Sequence, residues 1–305
     1  MSASLTKRVL QGDMRALASL MTLIENGDPK ARTILKAVYP HTGRAHAIGV
    51  TGAAGTGKSS LIDRLTAEYR RRKKSVGILA VDPSSPFSSG ALLGDRIRMR
   101  AHFADRGVFI RSFATRGASG GLSASIRDAI HLLDAAGKDL IFVETIGVGQ
   151  DELDIAALVH MVVVVVIPEM GDEVQSMKAG LTEIADILVV NKADLPGADV
   201  TVQQLRARFS DFDVLPVSAI NNDGTRRLVD VLEQRRIGSL GNGRYQRKRL
   251  SLCREELLYL LRERLVTQLT KRIDDHALEE RVRRIAERQV DPYSAVDEIA
   301  RRLGF

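Results

Sequence analysis

Gly52-Ala53-Ala54-Gly55-Thr56-Gly57-Lys58-Ser59 fits the spacing G-x-x-x-x-G-K-[ST], with Ser60 directly after it. The residue types suit phosphate. Glycines let backbone N–H groups curl around phosphate oxygens, the Lys58 ammonium supplies a point charge, and the Ser59 hydroxyl can ligate Mg²⁺. The apolar run Ala45 to Val50 before the loop reads as a strand and the stretch from Lys58 onward as a helix, whose N-terminal dipole adds to the attraction. Taken alone, the same residues would also describe a Gly-rich turn.

A second motif decides between these readings. Asn191-Lys192-Ala193-Asp194 follows the apolar run Ile187 to Val190 and so stands at a strand's carboxyl end. A carboxylate at Asp194 can accept the N1–H and 2-amino donors of guanine, whereas adenine would leave it unpaired. Val217-Ser218-Ala219 further on matches a third nucleotide motif, whose backbone N–H meets the guanine carbonyl oxygen. Three motifs in this order read as a GTPase that binds GTP and GDP and selects guanine over adenine.

The elements that must position these motifs alternate between strand and helix. Apolar runs at 76–81, 108–110, 140–143, 161–167, 187–190 and 213–216 are separated by helical stretches, which predicts an α/β fold. Its expected form is a P-loop GTPase domain over 43–237: a doubly wound, mostly parallel sheet flanked by helices, with its ligand at the strands' carboxyl ends. Residues 1–42 carry Leu10, Met14, Leu17, Leu20 and Met21 at helical spacing and form an N-terminal helical extension, with Gly27-Asp28-Pro29 as a break. Gly238 to Gly243 reads as a linker. With this linker at its start, 238–305 forms a C-terminal helical region in which Leu250, Leu257, Leu261, Leu265 and Leu269 recur among charges, packing on their own domain or on another surface.

Hydrolysis needs a metal that bridges the β- and γ-phosphates, so acids at strand ends come next. Asp82 ends the second strand, Asp95 lies in Gly94-Asp95-Arg96, and Glu144 ends the fourth. Glu144-Thr145-Ile146-Gly147 stands where many GTPases carry D-x-x-G, a carboxylate near the metal and a glycine that senses the γ-phosphate. Each acid taken singly is equally a helix cap or a surface charge. No side chain imposes itself as a general base, so in-line attack by a positioned water is the default.

Composition narrows the class. With 305 residues, 44% of them hydrophobic, the chain can bury a full core with appendages. Cys253 is the single cysteine, so no internal disulfide forms, and the missing N-terminal signal pattern agrees with a cytoplasmic setting. No apolar run approaches the ~20 residues of a membrane span. The net charge of +7 comes from short runs, Arg70 to Lys74 and Arg247 to Arg249, and tryptophan is absent; no stacking platform for a nucleic acid is visible.

Asp82-Pro83-Ser84-Ser85-Pro86, Leu93-Gly94-Asp95-Arg96, Thr115-Arg116-Gly117 with Gly120-Gly121, Glu144 to Gln150, and Gly171-Asp172-Glu173-Val174-Gln175 together resemble the MeaB/ArgK-type GTPases. These are G-protein chaperones of adenosylcobalamin-dependent acyl-CoA mutases such as methylmalonyl-CoA mutase. The resemblance spans the helical preface, the nucleotide domain and the C-terminal helices. It implies that Lys58 and Ser59 hold phosphate and Mg²⁺, that Asp82, Asp95 and Glu144 form the acidic shell around the metal, and that Asn191, Lys192 and Asp194 hold guanine. It further implies a switch over Glu169 to Lys178, with Asp172, Gln175 and Lys178 as polar contacts to the mutase, and a homodimer built from the C-terminal helices. The chain departs from the family pattern at Glu169-Met170, where Gly-Ala is usual. Two competing classes share the nucleotide fold: a metal-delivery GTPase of the nickel-enzyme maturation type, which needs clustered Cys or His, and a transport-associated kinase. The six histidines here are scattered.

Overall fold

The predicted strands are apolar stretches rich in valine, isoleucine and leucine, as expected when helices cover both faces. The computed structural model describes residues 2–82, 99–114, 121–145, 155–168, 183–273 and 275–304. β1 (His46–Thr51), β2 (Val76–Asp82), β3 (Val108–Ala114), β4 (Leu140–Glu144), β5 (Met161–Val166), β6 (Ile187–Val190) and β7 (Asp213–Pro216) form one sheet in the order β3-β2-β4-β1-β5-β6-β7. All of its registered pairs are parallel, so a sheet expected to be mostly parallel is wholly so. β1 occupies the middle, with Val50 beside Glu144 of β4 and Thr51 beside Val164 of β5.

Alternation along the strands sorts their side chains into two cores. Ala47, Ile141, Val162 and Val164 pack with α1 (Ser2–Leu10), α2 (Met14–Glu25), α3 (Pro29–Val38), α5 (Gly121–Ala135) and α6 (Ala198–Arg208). Ile48, Val50, Phe142, Val163 and Val165 pack with α4 (Lys58–Arg71) and α7 (Thr225–Gly241). The helical preface therefore completes a core of the nucleotide domain. Leu17, Leu20 and Met21 of α2 are fully buried there, Leu10 and Met14 partly so. The break between α2 and α3 follows from capping: Asp28 accepts from the Lys30 N–H, and Pro29 takes the first helical position. Buried Asp134 of α5 accepts from the backbone N–H groups of Gly43, Arg44 and Ala45, fixing where the preface hands over to β1.

The structure corrects the expected linker. Residues 238–241 are the last turn of α7, and α8 (Arg244–Thr270) begins after Asn242-Gly243. A glycine costs only about 1 kcal/mol inside a helix, and Leu228, Val229 and Leu232 already anchor α7 in the core. The chain divides into two compact units at Lys248/Arg249, inside α8 rather than at 237/238. The second unit comprises the rest of α8, α9 (Asp275–Ala286) and α10 (Pro292–Leu303). Its leucines Leu250, Leu257, Leu261 and Leu265 are exposed along α8, while Leu269 is half-buried.

Two outcomes test this packing. Leu20→Ala should cost about 2–5 kcal/mol in chemical denaturation, the size of a core cavity; a cost below about 1 kcal/mol would show that α2 lies outside the domain's core. The second concerns buried His102, whose Nε2 lies 3.2 Å from both the carbonyl oxygen and Oδ1 of Asp63 on α4. The hydrogen bond to the Asp63 side chain raises the His102 pKa above its ordinary value, against the opposing effect of burial. A raised folded-state pKa stabilises fully below the unfolded value of about 6.5, and the gain is lost as pH rises through the folded value. The melting-temperature deficit of His102→Gln should therefore be larger at pH 5.5 than at pH 8.5.

Candidate functional site

At the carboxyl end of β1 the chain has to turn beneath its neighbour. A Cβ on Gly52, where φ is +141°, would lie 2.1 Å from the Val165 carbonyl oxygen of β5, so glycine alone allows the turn. A Cβ on Gly57, where φ is +88°, would lie 2.4 Å from Asn191 Nδ2, so the loop's last glycine admits the side chain of another motif. Between them, buried Thr56 donates through Oγ1 to the Ala53 carbonyl at 2.9 Å. Gly55 stands with φ at +80°.

Lys58 opens α4 and folds back over the loop. Its Nζ donates to the carbonyls of Gly52 at 2.7 Å and Ala53 at 3.0 Å. The ammonium is thus held at the loop's centre, the place from which a point charge neutralises phosphate. One residue on, Ser59 Oγ donates to Glu144 Oε1 at 2.6 Å. Both residues are buried, each 5 % exposed, at the carboxyl ends of β1 and β4. Two oxygens so placed are an oxygen-only donor pair suited to a hard cation, and their spacing approaches the roughly 3 Å between neighbouring ligands of an octahedral ion with ~2.1 Å bonds. Ser60 follows on α4 and is exposed.

The guanine motifs meet the phosphate loop through one side chain. Asn191, 2 % exposed, donates from Nδ2 to the Thr56 carbonyl at 2.7 Å and accepts at Oδ1 from the Ala219 N–H at 3.2 Å. Its amide therefore ties together three segments that β1, β6 and β7 deliver from distant parts of the chain. Asp194 accepts the Ser218 hydroxyl proton, and Ser218 Oγ in turn accepts from the Asn221 N–H at 3.3 Å. Lys192, between them, takes a positive φ of +55°. Lys58, Ser59, Glu144, Asn191, Lys192, Asp194, Ser218 and Ala219 are thus brought to the same edge of the sheet.

Asp82 is the last residue of β2, beside Ala114 of β3. Asp95, Gly147, the Glu169-Met170 departure and the switch residues Asp172, Gln175 and Lys178 lie outside the described residues. One site residue was missed in the sequence: buried Thr145 donates through its hydroxyl to Thr51 Oγ1 at 2.8 Å, and its N–H donates to the Val50 carbonyl at 3.2 Å. Its signal was its position directly after Glu144, which the β1/β4 pairing sets beside the start of the phosphate loop.

A family model described as Methylmalonyl Co-A mutase-associated GTPase MeaB matches residues 17–274. The chain belongs to the MeaB family. A candidate GTPase of Pyrococcus abyssi is 45% identical over 310 residues, covering 98% of this chain and 96% of its own. GTPase ArgK of Escherichia coli is 38% identical over 192 residues, or 62% of this chain and 58% of that protein. The crystal structure of a LAO/AO transport system kinase superposes with a TM-score of 0.75 at 25% identity, covering 100% of this chain and 98% of its own. All of the motifs derived above fall within the span matched to the MeaB family, and the chain is a GTPase.

In this MeaB-family GTPase, Asn191→Ala would remove a buried bridge and strand both of its partners. Each of the Thr56 carbonyl and the Ala219 N–H left without a partner should cost about 1–3 kcal/mol. The expected result is a lowered denaturation midpoint of the nucleotide-free protein; an unchanged midpoint would mean that the two loops are held by other contacts.

Proposed function

We propose that this GTPase is a chaperone of an adenosylcobalamin-dependent acyl-CoA mutase, gating cofactor loading and protecting or reactivating the mutase. The observation that carries this reading is the match of residues 17–274 to a family described as mutase-associated. The joined phosphate and guanine loops supply the nucleotide half of the mechanism.

The parts divide the work as follows. Gly52, Gly55, Thr56, Gly57 and Ser60 line the phosphate cradle; Lys58 neutralises developing charge between the phosphates. Asp194, with Asn191, Lys192, Ser218 and Ala219, selects guanine over adenine, because adenine would leave the carboxylate without donors. Ser59 and Glu144 would hold Mg²⁺, with Asp82 and Asp95 completing the acidic shell, and their oxygen-only chemistry fits that ion. Bound there, Mg²⁺ would supply charge neutralisation for the phosphates. Gly147 would sense the γ-phosphate. The segment Glu169 to Lys178, through Asp172, Gln175 and Lys178, would report nucleotide state to the mutase.

Homodimerisation through the exposed leucines of α8 belongs to the same reading, since seven exposed large apolar residues between Leu250 and Val266 call for a partner surface. Among the described residues no three His, Cys, Asp or Glu side chains gather as a metal-carrying cluster, and no helix is long and apolar enough to cross a membrane.

The test is the GTP hydrolysis rate of the purified protein alone and with the adenosylcobalamin-dependent mutase of the same organism. Slow turnover alone and at least about tenfold stimulation, both abolished by Lys58→Ala, are expected, since partners that complete such sites accelerate them by 10³ or more. Equal rates with and without every such mutase would overturn the assignment of partner while leaving the GTPase intact.

A further inference from the structure

The edge of the sheet opposite the nucleotide loops holds a second concavity. A cavity of about 450 Å³ opens at the amino-terminal ends of β1 and β5, roofed by the end of α7 and the first turns of α8. β1 is six residues long, so at about 3.3 Å per residue the cavity lies roughly 20 Å from the phosphate loop. Its volume falls in the range of small-molecule sites and far exceeds what one inorganic anion fills.

Three rings form one wall. His46 and His160 stack with centroids 5.3 Å apart and planes 23° apart, and His160 and Tyr245 stand 5.2 Å apart at 12°. The stacked rings give this wall an aromatic lining that a flat ligand can contact. His160 Nδ1 accepts from the Ala47 N–H at 3.0 Å, which leaves the ring proton on Nε2. His46 is 3 % exposed, and among the described residues neither of its ring nitrogens has a hydrogen-bond partner. Burial, with His160 and Arg236 nearby, lowers its pKa to about 3, so this ring is neutral and adds no charge.

The charges around the cavity balance in number, but one cation is left without an ion pair among the described residues. Arg244 pairs with Asp186 at 3.2 Å, and the other oxygen of Asp186 accepts from the Val162 N–H at 2.9 Å. Arg235 is paired with Asp213 at 2.6 Å. Lys248 is half-buried and donates to the Ala156 carbonyl at 2.8 Å, but among the described residues no carboxylate lies within ion-pair distance of it. Burial pushes its pKa down, with Asp186 pulling the other way. Glu183 stands exposed at the rim. A half-buried ammonium backed by a carbonyl gains most from a desolvated anion.

We propose that this cavity is a second ligand site, which takes a small planar organic anion whose carboxylate or phosphate meets Lys248 and whose flat body lies along the His160 and Tyr245 rings. Nothing in the proposal depends on the mutase reading. The site also requires no nucleotide in the phosphate loop, because the two sites lie at opposite ends of β1.

The experiment titrates full-length protein saturated with GDP and Mg²⁺, using nicotinate, benzoate and adenosine monophosphate as probes and nicotinamide as the uncharged match to nicotinate. Calorimetry gives affinity, and the ¹⁵N signals of labelled histidine report on His46 and His160. At least one anion should bind at millimolar concentration or tighter and shift both histidines, with nicotinamide at least about tenfold weaker than nicotinate if nicotinate is the binder. Lys248→Met should weaken binding by about tenfold or more, and Lys248→Arg should restore most of it; circular dichroism and GDP binding confirm that both variants fold. The inference fails if no anion shifts the histidines, if Lys248→Met binds as well as the native chain, or if GDP competes with the probe.

Discussion

The close pass of Gly52 under the Val165 carbonyl governs this molecule's chemistry. β1 and β5 run parallel in register from Ile48↔Met161 to Thr51↔Val164, so the chain leaving β1 meets the backbone of β5 at once. With 2.1 Å between that carbonyl and any added Cβ, the backbone has to curl upward without a side chain. The curl exposes the loop's N–H groups, sets the start of α4 at Lys58, and thereby puts the Lys58 ammonium and the Ser59 hydroxyl where phosphate and cation chemistry need them. Sheet register therefore sets the geometry of a loop that lies beyond the sheet.

A second tie makes the site a unit. β1 and β6 are not neighbours, since β5 separates them, yet the motifs after both have to grip one nucleotide. Asn191, which follows β6, spans that gap by donating to the loop after β1, and it also accepts from the loop after β7, from a position almost closed to water where each bond is strengthened by the low local dielectric. Ser59 and Glu144 make the corresponding tie between β1 and β4. The central strand is thus linked on both flanks by side chains at its carboxyl edge, and motion of either neighbouring loop is felt by the phosphate cradle.

Much of this was legible in the order of residues, for physical reasons. Strands buried on both faces read as largely apolar runs, so all seven were found. The nucleotide motifs were legible because their chemistry permits few substitutes at Gly52, Lys58 or Asp194. Strand order was not, because parallel pairing joins residues far apart in sequence and leaves no local trace. The glycines at 238–243 misled for the opposite reason: their local preference for a turn was outweighed by the burial of Leu228 and Leu232 earlier in α7, which carries the helix on to Gly241. The cavity at His46, His160, Tyr245 and Lys248 was invisible for the same reason as strand order, since its walls come from segments up to two hundred residues apart and no one of them has a motif.

The central place of β1 also bears on how the chain is made. Its hydrogen-bonded neighbours are β4 and β5, at 140–144 and 161–166, whereas β2, the next strand synthesised, pairs with β3 and β4. On a ribosome adding about 5–20 residues per second, β1 and its glycine-rich loop therefore wait several seconds or more for either partner to emerge. Through that interval the apolar segment Ala45 to Val50 has no strand to pair with, and it is the stretch of nascent chain on which a ribosome-associated holdase would act.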